Sequence, residues 1–123
     1  MRGFVSNCIF CKIISGAIPA KKIYEDEHFI VIPDAQPQAK KHFLIMPKEH
    51  ILSLETAFKD ESKGKALLGE MFALANKIAL QEGLLPKGFR SVLNTNHDGG
   101  QTVFHIHLHV LGGEPVHAEF GVR

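Results

Sequence analysis

Three of the eight histidines in this chain fall in strict alternation, in the run Val103-Phe104-His105-Ile106-His107-Leu108-His109-Val110-Leu111. The two-residue period is that of a β-strand. It predicts that Phe104, Ile106, Leu108 and Val110 face a core while Val103, His105, His107, His109 and Leu111 share the opposite face. At about 3.3–3.4 Å rise per residue, successive imidazoles would stand roughly 7 Å apart. Neutral imidazole, with an ordinary pKa of about 6.5, is a competent nucleophile and metal ligand near neutral pH. Directly before the row lies Asp98-Gly99-Gly100-Gln101-Thr102, a turn-forming segment whose glycines let backbone N–H groups approach an anion closely. A histidine row beside such a loop points to chemistry on a phosphate. Two plainer readings compete with it: an exposed polar strand face, and a metal site in which His-x-His imidazoles chelate zinc or copper.

Other residues of chemical interest lie earlier. Cys8 and Cys11 have zinc spacing but make only two ligands. A thioredoxin-like redox pair would sit at a helix start after a strand, and no strand pattern precedes Cys8. Asp34 follows the apolar run Phe29-Ile30-Val31-Ile32. A carboxylate accepting from both ribose hydroxyls is a common way to hold a nucleoside. His42 opens a strand just after a loop, where it can orient a neighbouring group or simply face solvent. His28, His97 and His117 read as surface residues.

The elements that must position these groups follow from the pattern of apolar residues. Cys8 to Ser15 is a compact apolar turn of helix that Gly16 can end. Lys21–Glu25 and His28–Ile32 read as strands joined at Asp26-Glu27, and His42–Met46 is a third strand stopped by Pro47. Between Asp60 and Glu82 the period becomes helical, with Leu67, Leu68, Met71, Phe72, Ala75, Ile78 and Ala79 recurring and Asp60 or Ser62 as the cap. Phe89–Asn94 is a fourth strand and the histidine row a fifth. Strands, one long and one short helix, then more strands predict an α+β domain, residues 1–123, around a mainly antiparallel five-stranded sheet.

Composition is ordinary: 45% hydrophobic, 22% charged, formal net charge +1. Nucleic-acid binding wants a clustered basic face, and only the short pairs Lys21-Lys22 and Lys40-Lys41 occur. The first residues lack a signal-peptide apolar run, and no stretch approaches the roughly 20 apolar residues of a membrane span. With both cysteines in one short unit there is no disulfide framework, so a cytoplasmic location is the expectation.

His105-Ile106-His107-Leu108-His109-Val110 resembles the signature of the histidine triad (HIT) superfamily of nucleotidyl hydrolases and transferases. The flanking Asp98-Gly99-Gly100-Gln101-Thr102 and Leu111-Gly112-Gly113 resemble its Hint branch, the purine nucleoside phosphoramidases. The resemblance runs from about Cys8 to Gly113. It implies a HIT fold that cleaves purine nucleoside phosphoramidates, and related adenylates, through a nucleotidyl intermediate on His107, with no cofactor for the chemistry. His109 would then bond the phosphate, His42 would support the triad, and Asn94, Gly100, Gln101 and Thr102 would complete the cradle. The family often has serine at the Thr102 position, and smaller, less charged residues at Lys40 and Lys41. Asp34 would take the ribose, and Ile9, Phe10, Ile13 and Ile32 match positions that sandwich the purine, although by themselves they read as core. Bacterial relatives with the N-terminal cysteine pair imply a structural zinc on Cys8, Cys11, His50 and His105. The branch also implies a homodimer built through the long helix and an edge strand, which would cover open sheet edges. The tail Glu114–Arg123 differs from the tryptophan-bearing ends of animal relatives. The alternatives are a dinucleoside polyphosphate hydrolase of the same superfamily, a low-turnover nucleotide-binding module, and a metal-binding protein whose ligand set is the histidine row.

Overall fold

The apolar runs become the strands of one sheet. A computed structural model of the chain describes residues 4–116, so His117 and the end of the tail lie outside the described residues. Tyr24–Glu25 (β1), Phe29–Pro33 (β2), Lys41–Pro47 (β3), Phe89–Val92 (β4) and Leu108–Gly112 (β5) pair antiparallel in the order β1-β2-β3-β5-β4. Asp26 makes the β1–β2 turn by accepting the N–H groups of His28 and Phe29, both at 2.8 Å. The strand expected over Lys21–Glu25 is shorter, keeping only Tyr24–Glu25 in the ladder.

β2 and β3 are apolar at nearly every position because both faces of the sheet are covered. On one face Phe29, Val31, Phe43, Ile45, Leu108 and Val110 pack with Met71, Leu74, Ala75 and Ile78 of the helix Glu61–Gln81 (α3). On the other, Ile30, Ile32, Leu44 and Met46 pack with Cys8, Phe10, Cys11 and Ile13, which belong to the short helix Ile9–Ser15 (α1) and its N-cap. Full burial of one such aliphatic side chain stabilises by about 1.5–3 kcal/mol, so these two layers hold the frame that carries the histidines. The α+β fold class is as the pattern predicts.

Three details differ from expectation. A further helical turn, Leu54–Ala57 (α2), is capped by Ser53, whose side chain accepts the Thr56 N–H. Its neighbour Phe58 lies so close to α3 that a Cβ on Gly64 would stand 2.8 Å from the Phe58 ring, so glycine lets α2 pack against the helix there. Asp60 caps α3, accepting from the Lys63 N–H at 3.2 Å. Phe72, expected in the core stripe, is 45% exposed, because the buried stripe runs through Met71, Leu74, Ala75 and Ile78 instead.

The third difference matters most. The ladder of β5 begins at Leu108, not Val103, and Phe104 is 43% exposed rather than core. Pro47 ends β3 there and has no N–H to give a partner strand. Its carbonyl accepts from the ring of His105 instead, at 2.8 Å, and the Ile106 N–H donates to Ile51 O at 2.7 Å. The 103–107 segment is therefore tied to the last residue of β3 and the turn after it rather than paired in the ladder. Among the described residues no helix is long and apolar enough to cross a membrane.

Candidate active site

His109 lies in β5, opposite Leu44 on one side and Val92 on the other. Its ring is set by His42, whose Nε2 is 2.9 Å from His109 Nδ1. The direction of that bond is decided further back, because the Gln38 N–H donates to His42 Nδ1 at 3.0 Å. An imidazole that accepts at Nδ1 and stays neutral carries its proton on Nε2. His42 therefore donates to His109 Nδ1, and His109 holds its own proton on Nε2. That Nε2 is buried and, among the described side chains, is the one buried nitrogen or oxygen with no hydrogen-bond partner. A buried donor left unmatched costs about 1–3 kcal/mol, which an incoming acceptor recovers.

His107 is held in the opposite sense. Its Nδ1–H donates to the carbonyl of His105 at 2.8 Å, leaving the Nε2 lone pair free. Burial holds His107, His42 and His50 below the ordinary histidine value, opposed for His107 by the His105 carbonyl and Asp34, and for His42 by Asp34. Burial, reinforced by the neighbouring His107 and His42 rings, pushes His109 down to about 3. The row thus presents one neutral ring with a lone pair and, two residues on, one neutral ring with an N–H. Such a pair suits an electrophilic phosphorus and a phosphoryl oxygen.

His105, the first of the row, turns away from this pair. Its Nε2–H is used on Pro47 O, so its Nδ1 lone pair faces Cys8 Sγ at 3.5 Å, Cys11 Sγ at 3.7 Å and His50 Nδ1 at 3.2 Å. Cys11 Sγ is 3.3 Å from His50 Nδ1. Tetrahedral zinc, with bonds of about 2.0–2.1 Å to nitrogen and 2.3 Å to sulfur, spaces its ligand atoms about 3.3–3.8 Å apart. The donor set, the spacing and the backbone carbonyl behind His105 all fit a zinc ion. Burial pushes His105 down to about 4 and raises the Cys11 thiol. Asp34, His42 and His109 also cluster, but Gln38 keeps the proton on His42 Nε2, so that trio is a hydrogen-bond chain.

The remaining residues divide. Asp34 Oδ1 accepts the Gln36 N–H at 2.8 Å, and Oδ2 lies 3.3 Å from His42 Nε2. A carboxylate has about four acceptor positions, so capacity remains on its partly exposed side. Phe10 presents its ring edge-to-face to His105 and His107, with centroids 5.9 and 5.0 Å apart, and so buttresses the row. Ile13 and Ile32 are buried in the layer behind it, whereas Ile9 is 49% exposed. Asn94 is half-buried just beyond β4, and Thr102 is exposed. The Gly100 and Gln101 amides, expected in the phosphate cradle, have partners within the chain. The Gly100 N–H donates to His97 O and the Gln101 N–H to Asn96 O, each at 3.0 Å, inside a tight turn. The Gln101 side chain is likewise engaged, donating to Leu52 O and Val103 O and accepting from the Asn96 N–H. Gly100 is required for its left-handed φ of 83°, and Gln101 as a loop clamp. Gln38 and Pro47 escaped the sequence reading because they act through backbone atoms, which no residue type reveals.

A family model described as "Scavenger mRNA decapping enzyme C-term binding" matches residues 7–118. The chain belongs to the histidine triad (HIT) family. Its HIT relatives include a protein of Escherichia coli K12 named purine nucleoside phosphoramidase, 42% identical over 88% of each chain. A histidine triad protein from Clostridium difficile is 36% identical, with 94% of this chain and 98% of that one covered and a TM-score of 0.88. A Zn-bound histidine triad family protein from Mycobacterium smegmatis is 38% identical over 91% of this chain and 81% of that one, with a TM-score of 0.70.

Proposed function

We propose that this HIT protein hydrolyses purine nucleoside phosphoramidates and related adenylates, with His107 as the nucleophile. The observation that carries the reading is the opposed pair of rings, His107 Nε2 with a free lone pair and His109 Nε2 with a buried, unmatched N–H. The name of the E. coli relative supports the substrate class. In the first step His107 Nε2 attacks the α-phosphorus, the phosphorus–nitrogen bond breaks, and the amine nitrogen takes a proton from solvent water through the exposed Thr102 hydroxyl. In the second step water breaks the phosphorus–Nε2 bond and returns that proton to solvent. The His107 Nδ1–H, held by the His105 carbonyl, carries the charge that the ring gains. His109 Nε2–H stabilises the phosphoryl oxygen, and water then releases the nucleoside monophosphate. Asn94 and the exposed Thr102 hydroxyl border the phosphate and the leaving group. Asp34 takes the ribose hydroxyls, and exposed Ile9 offers the apolar contact to the base, with Ile13, Ile32 and Phe10 packed behind it. Cys8, Cys11, His50 and His105 would hold zinc, which supplies a crosslink and no activated water because all four positions are protein ligands.

The protein acts as a homodimer in this reading. β4 is an outer strand of the sheet, and Phe72 and Leu80 stand 45% and 62% exposed on α3. Sedimentation at micromolar concentration is expected to give twice the 13.6 kDa chain mass; a monomer would exclude it. The function itself is tested by a turnover panel of an adenosine phosphoramidate, diadenosine polyphosphates and ADP at matched concentration. The phosphoramidate is expected to be cleaved fastest, and faster polyphosphate cleavage would move the protein to another branch of the family.

A further inference from the structure

We propose that the Cys8–Cys11–His50–His105 cluster is the positioning device of the nucleophile: when metal joins it, it holds the His105 carbonyl where that carbonyl orients the His107 ring. The inference rests on His107 being the nucleophile. His107 is the last residue before the ladder of β5, and its orienting partner lies in the 103–107 segment, outside the sheet. What ties that segment down is local. His105 Nε2 donates to Pro47 O, and the Ile106 N–H donates to Ile51 O, both within reach of the turn that carries His50. The turn and the segment meet α1 through the thiols, since Cys11 Sγ faces His50 Nδ1 and Cys8 Sγ faces His105 Nδ1. Cys8 is also the N-cap of α1, accepting from the Cys11 N–H, so the helix carrying Phe10 is set from the same cluster. Phe10 in turn packs on His107.

Metal therefore crosslinks three pieces of chain that lie outside the strand ladders: the start of α1, the turn after β3 and the segment before β5. Without it, four lone pairs or thiols within 4.8 Å of one another face each other, two of them imidazole Nδ1 atoms at 3.2 Å. The His105–Pro47 and Ile106–Ile51 hydrogen bonds then remain to fix the segment, and the His105 carbonyl loses the anchor on its Nδ1 side. The His109 half of the site, held by β3, β4 and His42, has no such dependence.

Chelation of the zinc-loaded protein tests this, with zinc restored afterwards as the rescue. His50 is only half-buried and borders a cleft of about 1000 Å³, which gives a chelator its approach. Misplacing a reacting group by about 1 Å can reduce rate on the order of 10²-fold. Chelation is thus expected to lower kcat roughly 10- to 100-fold, with AMP affinity changed less than about threefold and zinc restoring the rate. Nitrogen NMR of the ring should show His107 losing its single Nδ1–H tautomer while His109 keeps its Nε2–H. Cys11→Ser is expected to reproduce the chelated state. A folded, zinc-free protein with unchanged kcat and an intact His107 tautomer would overturn the proposal. So would global unfolding on chelation, seen as loss of far-ultraviolet dichroism, or protein expressed with zinc available that turns over substrate yet contains none. Absence of phosphoramidate turnover by zinc-loaded protein would instead sink the functional reading, and the NMR result would still decide the positioning.

Discussion

The two ends of the histidine row are held by different means. His109 sits inside the sheet with a strand on each side, and its ring is set by a chain of side chains ending at one amide. His107 sits just ahead of the sheet, and its ring depends on a single backbone carbonyl in a segment fastened by His105, Pro47 and Ile51. One end is built into the frame, and the other is hung from it. An alternating row of side chains thus need not be one continuous strand, and His107, the proposed nucleophile, is the one set by a carbonyl outside the ladder.

The largest break in this comparison comes from His107. His107→Asn or His107→Ala is expected to lower kcat by about 10⁴-fold or more, while AMP still binds, because a nucleophile has no substitute among hydrogen-bond donors. Mass spectrometry of trapped intermediate should find the nucleotide on His107; an adduct on His105 or His42, or near-normal turnover of the variant, would reassign the nucleophile. His109→Ala removes a hydrogen bond to the developing charge and is expected to cost kcat about 10²–10³-fold. If the two losses proved equal, the division of labour between the ends would fail.

Acid sharpens the comparison on the His109 side. Its proton affinity is depressed to about 3 in the folded chain, against an ordinary value near 6.5 in the unfolded one. Between those values the unfolded state binds more protons, so stability is fully present above about pH 7 and falls as pH drops through about 6.5 toward 3. Urea melts at pH 7 and pH 5 should show a lower midpoint at pH 5, and His109→Gln should reduce that difference. A difference as large in His109→Gln as in the parent, where His105 is also depressed to about 4, would mean that His109 is not a buried neutral ring. The smallest effect concerns neither end but the loop between β4 and the row. Gln101→Ala strands the carbonyls of Leu52 and Val103 and the Asn96 N–H, and is expected to destabilise by about 1–3 kcal/mol in denaturant unfolding, with kcat less affected than by either histidine change.

Much of this was readable from residue types. The alternation placed Leu108 and Val110 against α3 and sent His107 and His109 to the other face, as the packing has it. The helix stripe and its Asp60 cap were visible because they follow a local period and a local hydrogen bond. The early end of the strand was not, since it depends on Pro47 O being taken by a ring 58 residues away. Phe104 differs because period does not show where the strand stops, and Phe72 because it lies one position off the buried Met71, Leu74, Ala75, Ile78 stripe. Gly100 and Gln101 look like an anion cradle in sequence, yet their N–H groups close the turn itself. Cys8 and Cys11 gave two ligands by spacing, and the geometry now brings His50 and His105 within reach of them.

The Gln38 amide has a consequence for which changes the chain can absorb. Neutral imidazoles in a row behave like arrows laid tip to tail, and one fixed arrow orients the rest. With the amide donating to His42, the arrow at His109 points outward and greets an oxygen. Reversed, it would offer a lone pair to a phosphoryl oxygen and repel it. The loop from Asp34 to Lys40 can therefore exchange the Gln38 side chain freely, since only its backbone N–H acts. Proline is the exception. It would remove that N–H while leaving every reactive side chain in place, and would turn a donor site into an indifferent one.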